Sequence, residues 1–193
     1  MIISLSGNQG SGKSVLAEKL ANALGWPRYY MGGLRREAAA NRGLTLAEYN
    51  KLGETDPVTD LEVDQYQKKL GETEDNFIIE GRTSWYFIPH SLKIFLKVDE
   101  IEGARRILLA KREGEDDKMS TLDEVLASTR RRQLSDQKRY LNYFNIDAYN
   151  SDNFDYLVDT TNLTPEEVFD QVYEIINKEL LKKVGIDNLN SKL

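Results

Sequence analysis

Near its start the chain reads Gly7-Asn8-Gln9-Gly10-Ser11-Gly12-Lys13-Ser14, directly behind the apolar run Met1-Ile2-Ile3-Ser4-Leu5-Ser6. Gly7, Gly12, Lys13 and Ser14 hold the fixed positions of the pattern G-x-x-x-x-G-K-[ST], the phosphate-binding loop. Successive backbone N–H groups at the opening of a helix form a concavity that favours anions. Glycines permit the torsions such a loop needs and a side chain would block. In a loop of this kind Lys13 reaches the β- and γ-phosphates of a nucleoside triphosphate, and Ser14 offers its hydroxyl to Mg²⁺. These eight residues, with Val15 after them, are the expected cradle for ATP.

Moving a phosphoryl group asks a protein mainly for positioning and for positive charge. Arg105 and Arg112 lie seven residues apart, as do Arg132 and Arg139, so each pair shares one helical face. Asp136, four after Arg132, falls on that face and can orient either guanidinium. Arg130 and Arg131 point elsewhere and receive no role. The segment Ile78-Ile79-Glu80-Gly81-Arg82 ends an apolar run: Glu80 is placed to hold Mg²⁺ through water, Gly81 to let a substrate approach, and Arg82 to point into the cleft. Asp99 is the competing metal candidate, but with Glu102 three residues later it reads better as a helix N-cap.

Asp60 and Asp64 stand one turn apart on a helical stretch. A carboxylate can accept from the exocyclic amine of cytosine, and a solvated acidic face is the alternative. His90 reads as structural, at the entry to a strand; Trp26 and Trp85 read as core or rim. No Asn-Lys-x-Asp segment selects guanine, and no glutamine follows a D-x-x-G switch to orient water. The arginines therefore point to transfer onto a bound acceptor and not to hydrolysis.

These groups need a scaffold. At 193 residues the length suits one domain, expected over residues 1–183, with residues 184–193 as a frayed tail. Apolar runs at 2–6, 77–80, 93–98 and 156–158, with a weaker one at 28–31, are each separated by helical material. This predicts an α/β fold of three layers with a five-stranded parallel sheet, whose ligands bind beyond the carboxyl ends of the strands. Two inserts interrupt it. The first, at about 32–70, holds helices at 34–41, at 46–52 behind a Thr45 cap, and at 58–70. The second, at about 112–146, opens with a charged flap and continues as a helix over 121–144, capped by Ser120 with Asp123. Standing over the phosphate loop, the flap would act as a lid that excludes water.

With no cysteine, the chain has no disulfide framework and no thiolate site. Its net charge of −6 argues against broad nucleic-acid binding. No run is long and apolar enough to span a membrane, and no signal pattern is present, so a cytoplasmic protein without membrane or nucleic-acid partners is expected.

Together these segments resemble the small nucleoside monophosphate kinases, and within them the cytidylate kinases of the compact archaeal type. The similarity runs from Met1 to about Glu179. Beyond the phosphate loop it is carried by "GGLRREAAANRGLTLAEYNKLGETDP", "DLEVDQYQ", "IIEGR", "AKREG", "SDQKRYLNYFNID" and "YLVDTTNLTPEEV". The resemblance implies transfer of the γ-phosphate of ATP, with Mg²⁺, to CMP or dCMP, and a monomer is expected. It implies that Gly32 opens the acceptor site, that Arg36 and Arg82 meet the acceptor phosphate, and that Glu80 and Ser14 associate with the metal. Arg112 matches a lid arginine; Arg132, Asp136 and Arg139 match a charged cluster around the acceptor; Asp60 and Asp64 match an acidic pair on its base side. The chain departs from the family pattern at Met31, Gly33, Arg35, Thr83 and Phe144-Asn145, all around the acceptor's base and sugar. AMP, UMP or a small hydroxy acid therefore stay open as acceptors, and a non-catalytic ATP sensor is the rival from another class.

Overall fold

The computed structural model describes residues 1–110 and 119–183. Five strands, β1 (Ile2–Gly7), β2 (Arg28–Tyr30), β3 (Phe77–Glu80), β4 (Leu92–Lys97) and β5 (Tyr156–Asp159), form one sheet in the order β2-β3-β1-β4-β5. All four pairings are parallel, as the alternation of apolar runs with helical segments predicts. Because the chain leaves β1 toward β2 and β3, then crosses back to β4 and β5, the strand order switches direction at β1. That switch point is where an open α/β sheet leaves a crevice at its carboxyl edge, and the Gly7–Ser14 loop emerges there.

Successive side chains of a strand face opposite sides, and the core divides accordingly. Ile3, Leu5, Ile78, Ile94, Leu96 and Val158 pack under α1 (Lys13–Leu24) and α8 (Pro165–Lys183) through Leu16, Ala17, Leu20, Val168, Val172 and Ile176. Ile2, Phe77 and Ile79 face the other way, toward Met31, Leu70 and Ile88. These come from α2 (Met31–Ala40), α4 (Val58–Thr73) and the residue that ends α5 (Ser84–Phe87). Trp85 lies in a further buried cluster with Phe95 and Phe154, and Trp26 packs half-buried on the main core, as expected. The remaining helices are α3 (Leu46–Gly53), α6 (Glu100–Ala110) and α7 (Leu122–Phe144).

Two local expectations are corrected. α2 begins at Met31, three residues before the predicted start, because Gly32 and Gly33 are helical; a Cβ at either would press on the Tyr30 ring. The glycine pair makes room for that ring instead of breaking the helix. The capping box of α7 is Thr121 with Glu124, not Ser120 with Asp123, although Ser120 also donates its N–H to Glu124 at 2.8 Å. Gly81 lines the cleft, and a Cβ there would also press on Ser84 and crowd Met31. The Thr45 cap of α3 and the Asp99 cap of α6 form as predicted, Asp99 Oδ1 accepting from Ile101 N–H and Glu102 N–H. His90 is exposed before β4. The charged flap, with Arg112, and the tail after Lys183 lie outside the described residues.

Candidate active site

The phosphate loop is fixed by backbone contacts. Gly7, Gly10 and Gly12 all have positive φ, at 144°, 76° and 85°. A Cβ on Gly7 would strike the carbonyl of Leu96 in β4, and one on Gly10 the carbonyl of Gly103 in α6, so only glycine fits at either. Ser11 Oγ donates to Asn8 O at 2.9 Å, and Asn8 Oδ1 accepts from Val98 N–H at 3.3 Å. Lys13 Nζ donates to the carbonyls of Gly7 and Asn8 at 2.9 and 2.6 Å. Of the loop residues expected to cradle a triphosphate, Gln9, Gly10, Gly12, Lys13 and Ser14 line the cleft, whereas Val15 is 44 % exposed.

At the loop's foot Ser14 Oγ donates to Glu80 Oε2 at 2.8 Å. Arg28, from the start of β2, takes the other oxygen, with Nε at 2.8 Å and Nη2 at 2.5 Å from Oε1. One hydroxyl and one carboxylate side by side are hard oxygen donors of the kind Mg²⁺ uses when phosphates and water supply the rest of its shell. No group of three or more His, Cys, Asp or Glu that could hold a metal occurs among the described residues.

Across the cleft stands a chain of alternating charges drawn from four elements. Arg35 and Arg36 come from α2, Asp60 from α4, Arg82 from the end of β3, and Arg132, Asp136 and Arg139 from α7. Asp60 Oδ1 accepts from Arg35 Nη1 and, at 2.5 Å, from Arg139 Nη1. Arg139 Nη2 reaches Asp136 Oδ1 at 2.5 Å, and Asp136 Oδ2 lies 2.5 Å from Arg82 Nε. Gly53 makes the crossing possible, since a Cβ there would press on Thr59, Arg139 and Arg35 together. Arg35 also donates to Asn50 Oδ1 at 2.8 Å and stacks over Tyr49, and Arg36 donates to the Tyr30 hydroxyl.

The electrostatics follow from this enclosure. Burial opposes the charge on Arg82, but Asp136 beside it prevails and raises the guanidinium pKa above its ordinary value. Burial would likewise raise Asp136, yet Arg82 and Arg139 outweigh it and hold the carboxyl below the usual range. For Asp64 the balance is reversed: burial first, then Asp60 one turn away, outweigh Arg35 and Arg139 and push it up to about 7.

The site residues nominated from sequence thus divide. Lys13, Ser14, Gly32, Arg36, Glu80, Arg82, Arg132 and Asp136 line one cleft. Arg139 and Asp60 lie one contact deeper, Asp64 is buried beside Gln67, and Arg139 has no exposed surface. The shared-face argument put Arg132 and Arg139 at one place, but only Arg132 reaches the cleft, because Arg139 is drawn between Asp60 and Asp136. Arg105 pairs with Glu102 on the exposed side of α6 and does not join them. Arg130, unassigned from sequence, forms a two-pronged pair with Glu100 at 2.7 and 2.8 Å, tying α7 to α6. Arg131 lines a second groove of about 880 Å³ between α2–α3 and α7. Tyr30, Arg35, Asn50 and Tyr140 line the cleft and were missed; nothing in the sequence separates them from other polar residues of the first insert and α7.

A phosphate loop at the switch point of a 2-3-1-4-5 parallel sheet, facing arginines across one cleft, defines a P-loop phosphotransferase. The family model for the cytidylate kinase-like family matches residues 2–162, and the chain belongs to that family. It is 35 % identical over 170 residues to "Cytidylate kinase" of Pyrococcus furiosus, covering 88 % of this chain and 84 % of that one. It is 32 % identical over 189 residues to "Cytidylate kinase" of Archaeoglobus fulgidus, covering 97 % and 99 %. Among solved structures, shikimate kinase from Bacteroides thetaiotaomicron superposes with a TM-score of 0.62 at 16 % identity, over 92 % of this chain and 98 % of that one, a likeness of fold. The chain is accordingly an enzyme, a kinase of nucleoside monophosphate kinase type. No helix among the described residues is long and apolar enough to cross a membrane.

Proposed function

We propose that this kinase transfers the γ-phosphoryl group of Mg·ATP to CMP or dCMP, giving ADP and CDP or dCDP. The observation that carries it is the cleft itself: Lys13 and Ser14 of the phosphate loop share it with Arg36, Arg82 and Arg132. Donor and acceptor phosphates each find cations there. The names of the relatives support CMP or dCMP as the acceptor.

The acceptor's phosphate oxygen attacks the γ-phosphorus while the bond to the β–γ bridging oxygen breaks, and ADP departs with that electron pair. No covalent enzyme intermediate is needed. Lys13 and the phosphate-loop N–H groups hold the donor; Arg36 and Arg82 hold the acceptor phosphate against its own repulsion; Arg132 and the lid residue Arg112 add charge to the equatorial oxygens. Mg²⁺, held by Ser14 and Glu80, supplies neutralisation of the phosphate oxygens when bound. Asp136 orients Arg82, and Arg139 with Asp60 and Asp64 forms the base-side wall. Residues 1–183 act as one unit, a cytoplasmic monomer with nucleotides as partners and neither nucleic acid nor membrane.

A second acceptor is favoured by one observation: Asp60 Oδ1 is already engaged by Arg35 and Arg139, so it offers a cytosine amine only its other oxygen. The same enzyme acting on AMP or UMP is then the alternative. ADP release from Mg·ATP with CMP, dCMP, UMP, AMP and GMP at matched concentrations tests both. Preference for CMP or dCMP is the expected result; faster turnover of AMP or UMP overturns the acceptor and keeps the kinase.

A further inference from the structure

Arg82 is anchored from behind. Its Nε lies 2.5 Å from Asp136 Oδ2 and donates to the Tyr149 hydroxyl at 2.9 Å. The hydrogen bond of its side chain among the described residues is made by Nε and not by the two terminal nitrogens, and the side chain lines the cleft. A guanidinium bound through Nε alone keeps its two-pronged fork for a phosphate. A single contact at Nε, however, leaves the plane of the group free to pivot.

Tyr149 removes that freedom. Its hydroxyl accepts from Arg82 and donates to Asp136 Oδ2 at 3.0 Å, closing a three-membered ring of contacts. The ring of Tyr149 packs on the buried cluster of Trp85, Phe95 and Phe154, and its backbone N–H donates to Asp147 Oδ1 at 2.9 Å. From the same cluster Trp85 Nε1 donates to the carbonyl of Arg82 at 2.9 Å. One aromatic socket therefore fixes both the backbone and the side chain of Arg82. It is built from residues far apart in the chain. Burial raises the pKa of the Tyr149 hydroxyl, so it stays protonated and able to donate.

We infer that Tyr149 is a positioning residue for phosphoryl transfer: its hydroxyl sets the plane of the Arg82 guanidinium so that both terminal nitrogens meet the acceptor phosphate. This rests on the proposal that Arg82 binds that phosphate, and the test separates the two. Tyr149→Phe keeps the ring in its cluster and deletes only the hydroxyl. Initial rates are measured for wild type, Tyr149→Phe, Arg82→Ala and the double variant, varying ATP and whichever of the five nucleotides turns over fastest. Equilibrium binding of that nucleotide is measured alongside, and a thermal melt verifies folding.

A lost hydrogen bond to a charged group predicts that Tyr149→Phe lowers kcat/KM for the acceptor about 10- to 30-fold and weakens its binding, with KM for ATP unchanged within about twofold. In the Arg82→Ala background the same change has almost no further effect, less than about twofold. If Arg82→Ala damages acceptor kinetics while Tyr149→Phe does not, or if the tyrosine effect is equal in both backgrounds, the positioning role is refuted and the site stands. If Arg82→Ala leaves acceptor kinetics untouched, or none of the five nucleotides turns over, the acceptor site falls and the inference with it.

Discussion

The two sides of the cleft are built on different principles. The donor side is a backbone device: Gly7 and Gly10 touch the chains of β4 and α6 so closely that no side chain fits, and Lys13 folds onto carbonyls of its own loop. The acceptor side is a side-chain device, in which Arg35, Asp60, Arg139, Asp136 and Arg82 alternate in charge across α2, α4, α7 and the end of β3. The first depends on a short stretch of sequence. The second exists only when four elements meet. A local device fails through loss of one local function, whereas a distributed one is expected to fail through stability as well as activity.

The largest effects are on turnover, one from each side of the cleft. Lys13→Ala, and likewise Arg82→Ala across the cleft, is expected to lower kcat by about two to four orders of magnitude, by the scale of oxyanion-hole donors and arginine fingers. If the contrast is right, Lys13→Ala leaves the urea midpoint nearly unchanged. Wild-type turnover in that variant would remove the phosphate loop from the chemistry.

Arg139→Met probes the other principle. Breaking a buried ion pair costs about 3–5 kcal/mol. Because Asp60 keeps Arg35 and Asp136 keeps Arg82, a loss of about 3 kcal/mol in urea unfolding is expected. A variant as stable as wild type would mean that the network does not hold the insert to α7.

The smallest effect concerns Asp64. Its pKa is raised from the ordinary carboxylate value to about 7 in the fold. Between those two pH values the folded state binds more protons than the unfolded one, so stability falls as pH rises through that window. Above it the ionised group is destabilising. Asp64→Asn should therefore flatten the decline of Tm between about pH 4 and 7 and raise Tm at pH 8. An unchanged slope would show that Asp64 is charged at no cost.

Much of the frame was legible. The runs at 77–80 and 156–158 stand out as apolar segments between helical ones, and the Thr45 and Asp99 caps follow from residue type and spacing. The errors came where one signal has two causes. The helix expected from residue 34 begins at Met31, because the Gly32-Gly33 pair is itself helical and clears space for the Tyr30 ring. A two-turn spacing brings Arg132 and Arg139 onto one face, yet does not say which of them faces a cleft and which meets a buried carboxylate.

The phosphate loop, the strand-and-helix alternation and the presence of enough arginines were determined by sequence alone, because each rests on torsions or periodicities within a few consecutive residues. Tertiary structure alone decided that Arg139 is buried between Asp60 and Asp136, that Glu80 is shared between Arg28 and Ser14, and that Tyr149 stands behind Arg82. Apart from the one-turn contact of Arg139 with Asp136, those are pairings between residues 52 to 79 positions apart. Only the packing of the sheet, the insert and α7 fixes which charge is left facing the cleft.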